Sequence, residues 1–431
     1  MKYCNNDKLA LSSRTLNIFI ILIILMAVCQ ANACLQTNRY LNLSFMFVVQ
    51  LTAISMIYKY RTTLCPFYLN NDYKYINWYL RWTYILIVAG FVVAENYIEY
   101  KQLLIGAISL LVPILWWLFC RPPIAQYILR GWYKYAWIPF ILLFLKPLGF
   151  NIFYLQPILI LGCLFSLYKK RTSIIIVILI LLMATDDIEE SRAPFIKGMI
   201  AIFTGITIYF RHKLSNRIIR IGRVFCFLCS LGAFTFVLQD AYNFVLGRIN
   251  ANDAVENNQT REKISKDTRS LLYVDLVTSA IENNYIVWGH TPARGFEITY
   301  SGILFMNSYD DLKVFNKGER HKNEMVLSNV LTWEGLIGLV LFSLIYIRGT
   351  YLAVYSSRNK IIPILACFVA WRWSWGWIED TNNFLITDID LWVLMAICYS
   401  PYFREMSEKE LTLLARGLLS AKYQRYNNTY K

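Results

Sequence analysis

The sequence predicts an all-α fold: a polytopic transmembrane helical bundle of about 12 spans with one large extracytoplasmic loop carrying short helices. Three observations predict it. Of the 431 residues, 57% are hydrophobic and only 16% charged, where a soluble domain has about 45–50% apolar and about 25% charged residues. The apolar residues gather in continuous runs such as Ile174–Met183, without the apolar/polar alternation of a barrel strand. The basic residues fall on alternate connections between those runs. Together these features exclude a disordered chain, a disulfide mini-protein and an ordinary cytosolic enzyme.

A helix crossing a bilayer takes roughly 20 mainly apolar residues. Twelve runs qualify, over residues 16–34, 40–58, 80–98, 103–120, 132–147, 151–168, 173–188, 194–210, 223–239, 329–347, 360–378 and 386–400. Pro139 and Pro147 make the fifth a kinked or re-entrant element. With the N-terminus inside, the inner segments hold 27 of the 43 Lys and Arg residues and the short outer loops hold 5, a strong positive-inside asymmetry. The net charge of +15 is therefore a topology signal, and nucleic acid is not an expected partner.

Four regions follow: spans one to nine within 1–238, a large outer loop at 239–328, spans ten to twelve within 329–400, and a basic cytoplasmic tail at 401–431. The outer loop carries 12 acidic and 10 basic residues and no cysteine, so it is nearly neutral and not disulfide-stapled. In the tail, Leu411, Leu414, Leu418 and Leu419 recur at helical spacing amid Lys and Arg, which predicts an amphipathic helix on the anionic inner leaflet. Cys226 and Cys229, alone inside an apolar helix, read as packing rather than a zinc site.

Charges in or beside spans are costly and mark functional candidates. On the outer side, Arg192 precedes Pro194, which suits a first helical turn, so Arg192 flanks a helix N-terminus, where an anion is favoured; the alternative is pairing with Asp186–Glu190. Asp267 or Thr268 caps a periodic run through Ile281, which puts Arg269 in a first turn. A cation there opposes the helix dipole unless an anion lies between them, making Arg269 a phosphate-binding candidate rather than a plain surface residue. The stretch Trp288-Gly289-His290-Thr291-Pro292-Ala293-Arg294-Gly295 is a Gly- and Pro-containing turn ending in an arginine fork suited to phosphate oxygens. His290 there reads first as structural, with a base or acceptor-orienting role as the alternative.

The segment Gly318-Glu319-Arg320-His321-Lys322-Asn323-Glu324 runs into span ten, where His321 or Glu324 is placed to deprotonate a sugar hydroxyl and Asn323 to orient it; a polar juxtamembrane cap is the plainer reading. Trp371, Arg372, Trp373, Trp375 and Trp377 lead to Glu379-Asp380: an interfacial belt, or a sugar platform, with Arg372 paired to Glu379 or another acid. No nucleotide loop, metal-ligand spacing or nucleophile elbow occurs, so no cofactor is expected.

Ser191-Arg192-Ala193 opening a span, Arg269 on a loop helix, Gly289-His290-Thr291, and His321/Asn323/Glu324 running into Glu334-Gly335-Leu336-Ile337-Gly338 resemble, in that order, the bacterial O-antigen ligase and O-antigen or capsular polysaccharide polymerase superfamily. The Trp288–Gly295 stretch looks closer to Bacteroides-type capsular polymerases. The likeness covers about residues 173–347; earlier spans match only as hydrophobic helices.

The resemblance implies metal-independent, inverting transfer of a glycan from undecaprenyl diphosphate, on the outer face of the inner membrane, to a glycan acceptor. Chain-length regulators or flippases are partners of such enzymes. It implies that Arg192 and Arg269 hold the diphosphate, with Arg294 as a third. It also implies a base at His321 or Glu324, because the usual His-Asn pair stands about three residues nearer the glycine than His321 stands to Gly335. A polymerase is preferred to a lipid A-core ligase. A lipid-linked oligosaccharide flippase is the rival of another class; it would hold several charges in a central cavity, whereas here they gather outside.

Overall fold

The computed structural model describes residues 11–34, 39–138, 157–185, 193–229, 232, 268–298, 318–380 and 383–423. Within these the protein is mostly helical, and each of the twelve predicted apolar runs overlaps a helix. The main helices are α1 (Ser13–Cys34), α2 (Arg39–Lys59), α3 (Lys74–Val93), α4 (Tyr97–Leu110), α5 (Leu115–Phe119), α6 (Pro122–Tyr135), α7 (Ile158–Cys163), α8 (Lys170–Thr185), α9 (Ala193–Tyr209), α10 (Thr268–Glu282), α11 (Val326–Ser356), α12 (Ile361–Trp375), α13 (Ile386–Tyr399) and α14 (Glu408–Leu419). Four stretches among the described residues are long and apolar enough to cross a membrane: Ser13–Gln30, Asn71–Val93, Tyr97–Phe119 and Val326–Ser356.

Helix α13 is the axis of the bundle. All fourteen of its residues are buried, and it packs against α5, α7, α11 and α12. Between apolar helices in lipid, association comes from close van der Waals fit rather than the hydrophobic effect. The crossing of α7 and α9 shows this: a Cβ on Gly205 would lie 2.6 Å from the Gly162 carbonyl oxygen. The outward faces are apolar yet exposed, as at Ile174, Ile175 and Ile178 on α8 and Ile85, Val88 and Val92 on α3, the pattern of surfaces that meet lipid.

Polar contacts sort the connections onto two ends. At one end Arg348 bonds Asp72, Arg211 bonds Glu408, Lys360 Nζ donates to Leu214 O and Ser400 Oγ to Cys120 O. All of these lie in or next to segments predicted as inner. At the other, Lys197 meets Glu379, Lys322 meets Asp380, and the Ile386 amide donates to Gln30 Oε1. These lie in or next to segments predicted as outer.

Two expectations are corrected. Residues 408–419 do form an amphipathic helix, closed by a Ser407/Glu410 capping box, but Leu411, Leu414 and Leu418 are buried. They pack on α6, while Gln126 Nε2 donates to Leu414 O and Tyr168 Oη to Ala415 O. The apolar face thus has a protein partner, because 122–135 is itself an amphipathic helix rather than a loop. The four alternate tryptophans form no single platform. On a helix, residues two apart point to opposite sides, so Trp371 meets Trp375 with rings tilted by 32° and Trp373 meets Trp377 edge-on.

Candidate functional site

The site is built on an interruption in α11. Gly335 has φ +66° and ψ −168°, which breaks the helix one third of the way along. The break frees backbone groups that hydrocarbon cannot satisfy, and the loop following α10 satisfies them. The His290 and Thr291 amides donate to Thr332 O and Trp333 O at 2.7 and 3.1 Å, and the Leu336 and Ile337 amides donate to Ile286 O and Val287 O at 2.9 and 3.3 Å. Trp82 Nε1 donates to Glu334 O at 3.0 Å, and Thr83 Oγ1 donates to the buried Glu334 carboxylate at 2.5 Å. The crossing needs glycine on both sides: a Cβ at Gly335 would sit 2.5 Å from Gly289 N, and one at Gly289 (φ +82°) would sit 2.6 Å from Glu334 N.

A two-residue antiparallel ladder, Phe296–Glu297 (β1) with Glu319–Arg320 (β2), brings the histidine-bearing segment alongside this loop. His321 lies half-buried against Trp333, ring centroids 5.1 Å apart, with Nε2 2.8 Å from Pro292 O. A carbonyl only accepts, so Nε2 carries the proton and Nδ1 keeps the lone pair. Burial, reinforced by the neighbouring Lys322 charge, pushes the imidazole down to about 4, so it is neutral at physiological pH. His290 is fixed likewise, with Nδ1–H on Gly295 O at 2.8 Å and the ring stacked 4.3 Å from Tyr285; burial lowers its pKa too.

The remaining sequence candidates are placed as follows. Asn323 braces the turn that enters α11: its Oδ1 accepts from the Met325 amide at 2.9 Å and from Ser328 Oγ at 2.5 Å, its backbone amide donates to Asn329 Oδ1, and its buried Nδ2 has no partner. Glu324 is exposed. Arg294 is committed to Glu319, through Nε at 3.0 Å to both carboxylate oxygens and through Nη2, while the same carboxylate accepts the Gly295 amide at 2.9 Å. That pairing, which spans 25 positions in sequence and depends on the β1–β2 register, occupies the guanidinium that the sequence offers as a third phosphate contact. Arg269 is the second residue of α10, and its side chain lies outside the described residues. Arg192 also lies outside them, immediately before Ala193 opens α9.

What gathers these segments is the turn at 376–380. Its Glu379 carboxylate accepts from Lys197 Nζ at 2.7 Å, one turn after the start of α9, and from Trp375 Nε1 at 2.6 Å. Its carbonyls at Gly376 and Glu379 accept the Leu327 and Val326 amides, each at 3.2 Å, capping α11. Trp377 O accepts Tyr273 Oη at 2.5 Å, and Tyr273 lies four residues after Arg269, on the same helical face. Asp380 pairs with Lys322 Nζ at 2.9 Å, which also bonds Asn383. Lys197, Lys322 and Glu319 were not assigned from the sequence. Lys197 had a readable signal, a lone cation in an apolar run; the other two are meaningful only through partners far along the chain.

The bundle interior also holds charge, against expectation. Arg372 and Asp390 are fully buried, 3.7 Å apart, and Asp388 lies nearby on α13, 4% exposed. Arg372 pairs with Asp390 rather than with Glu379, which is taken by Lys197. No group of three His, Cys, Asp or Glu side chains able to hold a metal ion occurs among the described residues. Compared with protein-family models, curated proteins and solved structures, the chain matches none.

Proposed function

We propose that the chain is a bacterial inner-membrane glycosyltransferase of about twelve spans, both termini cytoplasmic. It polymerises undecaprenyl-diphosphate-linked oligosaccharide units on the outer face, for a capsule or an O-antigen. The observation that carries this reading is the 376–380 turn. It ties together the helix opening after Arg192, the helix bearing Arg269 and the segment bearing His321, which lie up to about 130 residues apart in sequence.

In the transfer, the acceptor hydroxyl oxygen forms a bond to the anomeric carbon as the bond from that carbon to the phosphate oxygen breaks. The bonding pair leaves with the diphosphate, and the hydroxyl proton passes to an imidazole lone pair. His321 suits that last role because its Nδ1 is unprotonated at neutral pH, whereas Glu324 is exposed. Arg192 and Arg269 neutralise the charge that develops on the leaving diphosphate, which supplies electrostatic stabilisation without a metal. The gap at Gly335 supports the same reading, because non-helical backbone at membrane depth occurs where protein or a polar cavity covers it.

The test uses purified full-length protein in nanodiscs with a lipid-diphosphate-linked repeat unit. A ladder of products without added lipid A-core is expected, lost in Arg269→Ala and Arg192→Ala with membrane insertion intact. A reaction that waits for lipid A-core identifies a ligase, and full polymer from both arginine variants rejects the assignment. The buried Arg372–Asp390 pair is the one observation favouring a flippase; movement of the lipid-linked unit between leaflets without ladder formation is the result that selects it.

A further inference from the structure

At the end of the bundle whose segments the sequence predicts as inner, residues 216–229 are helical and carry Arg220 and Arg223 near their start. This helix packs on α12: Ser374 Oγ donates to Cys226 O, and Phe227 meets Trp373 with ring centroids 5.3 Å apart. The last turns of α11 lie beside it, where Tyr351 and Tyr355 stack with centroids 4.5 Å apart. Arg220 Cζ is 4.6 Å from the Tyr355 centroid, and Arg223 Cζ is 5.8 Å from that of Tyr351. Contact with a ring takes up a guanidinium face and leaves its N–H edge free. Among the described residues neither arginine is in an ion pair; Glu408 and Asp72, at the same end, are held by Arg211 and Arg348. The buried Nε of Arg223 has no hydrogen-bond partner.

Two stripes at four-residue spacing run away from these arginines. Arg220, Val224 and Leu228 share one face of their helix, and Tyr355, Tyr351 and Ile347 share one face of α11; all six side chains are exposed. The two helices run in opposite directions, so on both the polar residues stand at the inner boundary and the aliphatic ones lie towards the bilayer centre. Arg220 is about 6 Å and Arg223 about 10 Å from the start of the helix at 1.5 Å per residue. That is the order of a phospholipid seen from the membrane surface, head first and chains deeper. We infer that this surface binds an anionic glycerophospholipid of the inner leaflet, its phosphate on Arg220 and Arg223 and its chains along Val224, Leu228 and Ile347. Basic pockets between spans on the cytoplasmic side recognise such heads, and an arginine edge forks onto phosphate oxygens. A zwitterionic head would bring an ammonium group against two cations, and a free phosphate would leave the aliphatic stripes uncovered. The diphosphate proposed above binds at the opposite end of the bundle. The inference uses the proposed orientation and not the transfer reaction.

The test cross-links phosphatidylglycerol carrying a photoreactive diazirine beside its head to the full-length protein in nanodiscs, and maps the labelled peptides. Labelling is expected in peptides covering 216–229 and 347–356. Losing both arginines in Arg220→Gln/Arg223→Gln should lower it about thirtyfold, while Lys170→Gln, an exposed cation at the start of α8, leaves it unchanged. Unlabelled phosphatidylglycerol should suppress the signal, and phosphatidylethanolamine, glycerol 3-phosphate and undecaprenyl diphosphate should not. Suppression by phosphatidylethanolamine overturns the charge selectivity, suppression by glycerol 3-phosphate overturns the lipid, and suppression by undecaprenyl diphosphate places the label in the donor site. Labelling spread evenly over every lipid-facing helix, or unchanged in the double variant, also overturns the assignment. The competition is read on the wild type, so it decides the matter even where the double variant fails to insert.

Discussion

Replacing Gly335 by alanine is expected to open the junction between α11 and the 285–291 loop. A side chain there demands a positive φ of 66°, which costs an L-residue about 1–2 kcal/mol. Its Cβ would also lie 2.5 Å from both Val287 C and Gly289 N, so the loop must move away. Four hydrogen bonds then stretch or break, those from the amides of His290, Thr291, Leu336 and Ile337. At about 1 kcal/mol net each they contribute about 4 kcal/mol, for a total of about 5–6 kcal/mol, well above the usual range for one substitution.

Hydrogen exchange reads the change directly. Losing about 4 kcal/mol of local stability corresponds to roughly a thousandfold drop in protection, and it is expected at those four amides while α13 stays protected. Glycosyl transfer should fall with it, because Trp333, which packs on His321, sits two residues before the break. Gly222→Ala is the control: only Cys367 Sγ, at 3.9 Å, lies near its added carbon, and alanine is the better helix former. Wild-type protection at residues 290, 291, 336 and 337 in Gly335→Ala would refute the account of the interrupted helix.

Three further outcomes are expected. His321 titrates near 4 rather than about 6.5, so the acid limb of kcat/KM should lie near pH 4; a limb at 6 to 7 removes His321 as the base. Because its folded value is the lower one, the stability it contributes is complete above about pH 6.5 and is lost as pH falls towards 4. Asn323→Ala should cost about 1–3 kcal/mol in thermal denaturation through the two hydrogen bonds its Oδ1 accepts, and Asn323→Asp should restore most of it, since a carboxylate accepts the same bonds and lies close to a helix N-terminus. Native stability in Asn323→Ala contradicts that bracing role. For the buried pair, Arg372→Met or Asp390→Leu alone should cost about 3–5 kcal/mol by stranding a charge, while the double variant recovers much of it; a double loss equal to the sum of the two single losses shows that the pair is not coupled.

The sequence by itself determined the helical class, the apolar runs and the sorting of their connections onto two ends. These follow from local rules: hydrocarbon demands long apolar helices, and basic residues mark one side. It also marked Gly289 and Gly335, though not that they face one another, since two positive-φ glycines are visible as residues while their contact is not. Only the tertiary structure decided that Arg294 pairs with Glu319, that Asn323 braces the turn into α11, that α14 folds onto α6 and that the 376–380 turn joins three distant segments. Each of those depends on which donor meets which acceptor across tens to hundreds of residues. Such a pairing is fixed by packing and strand register, and no local pattern of hydrophobicity or charge encodes it.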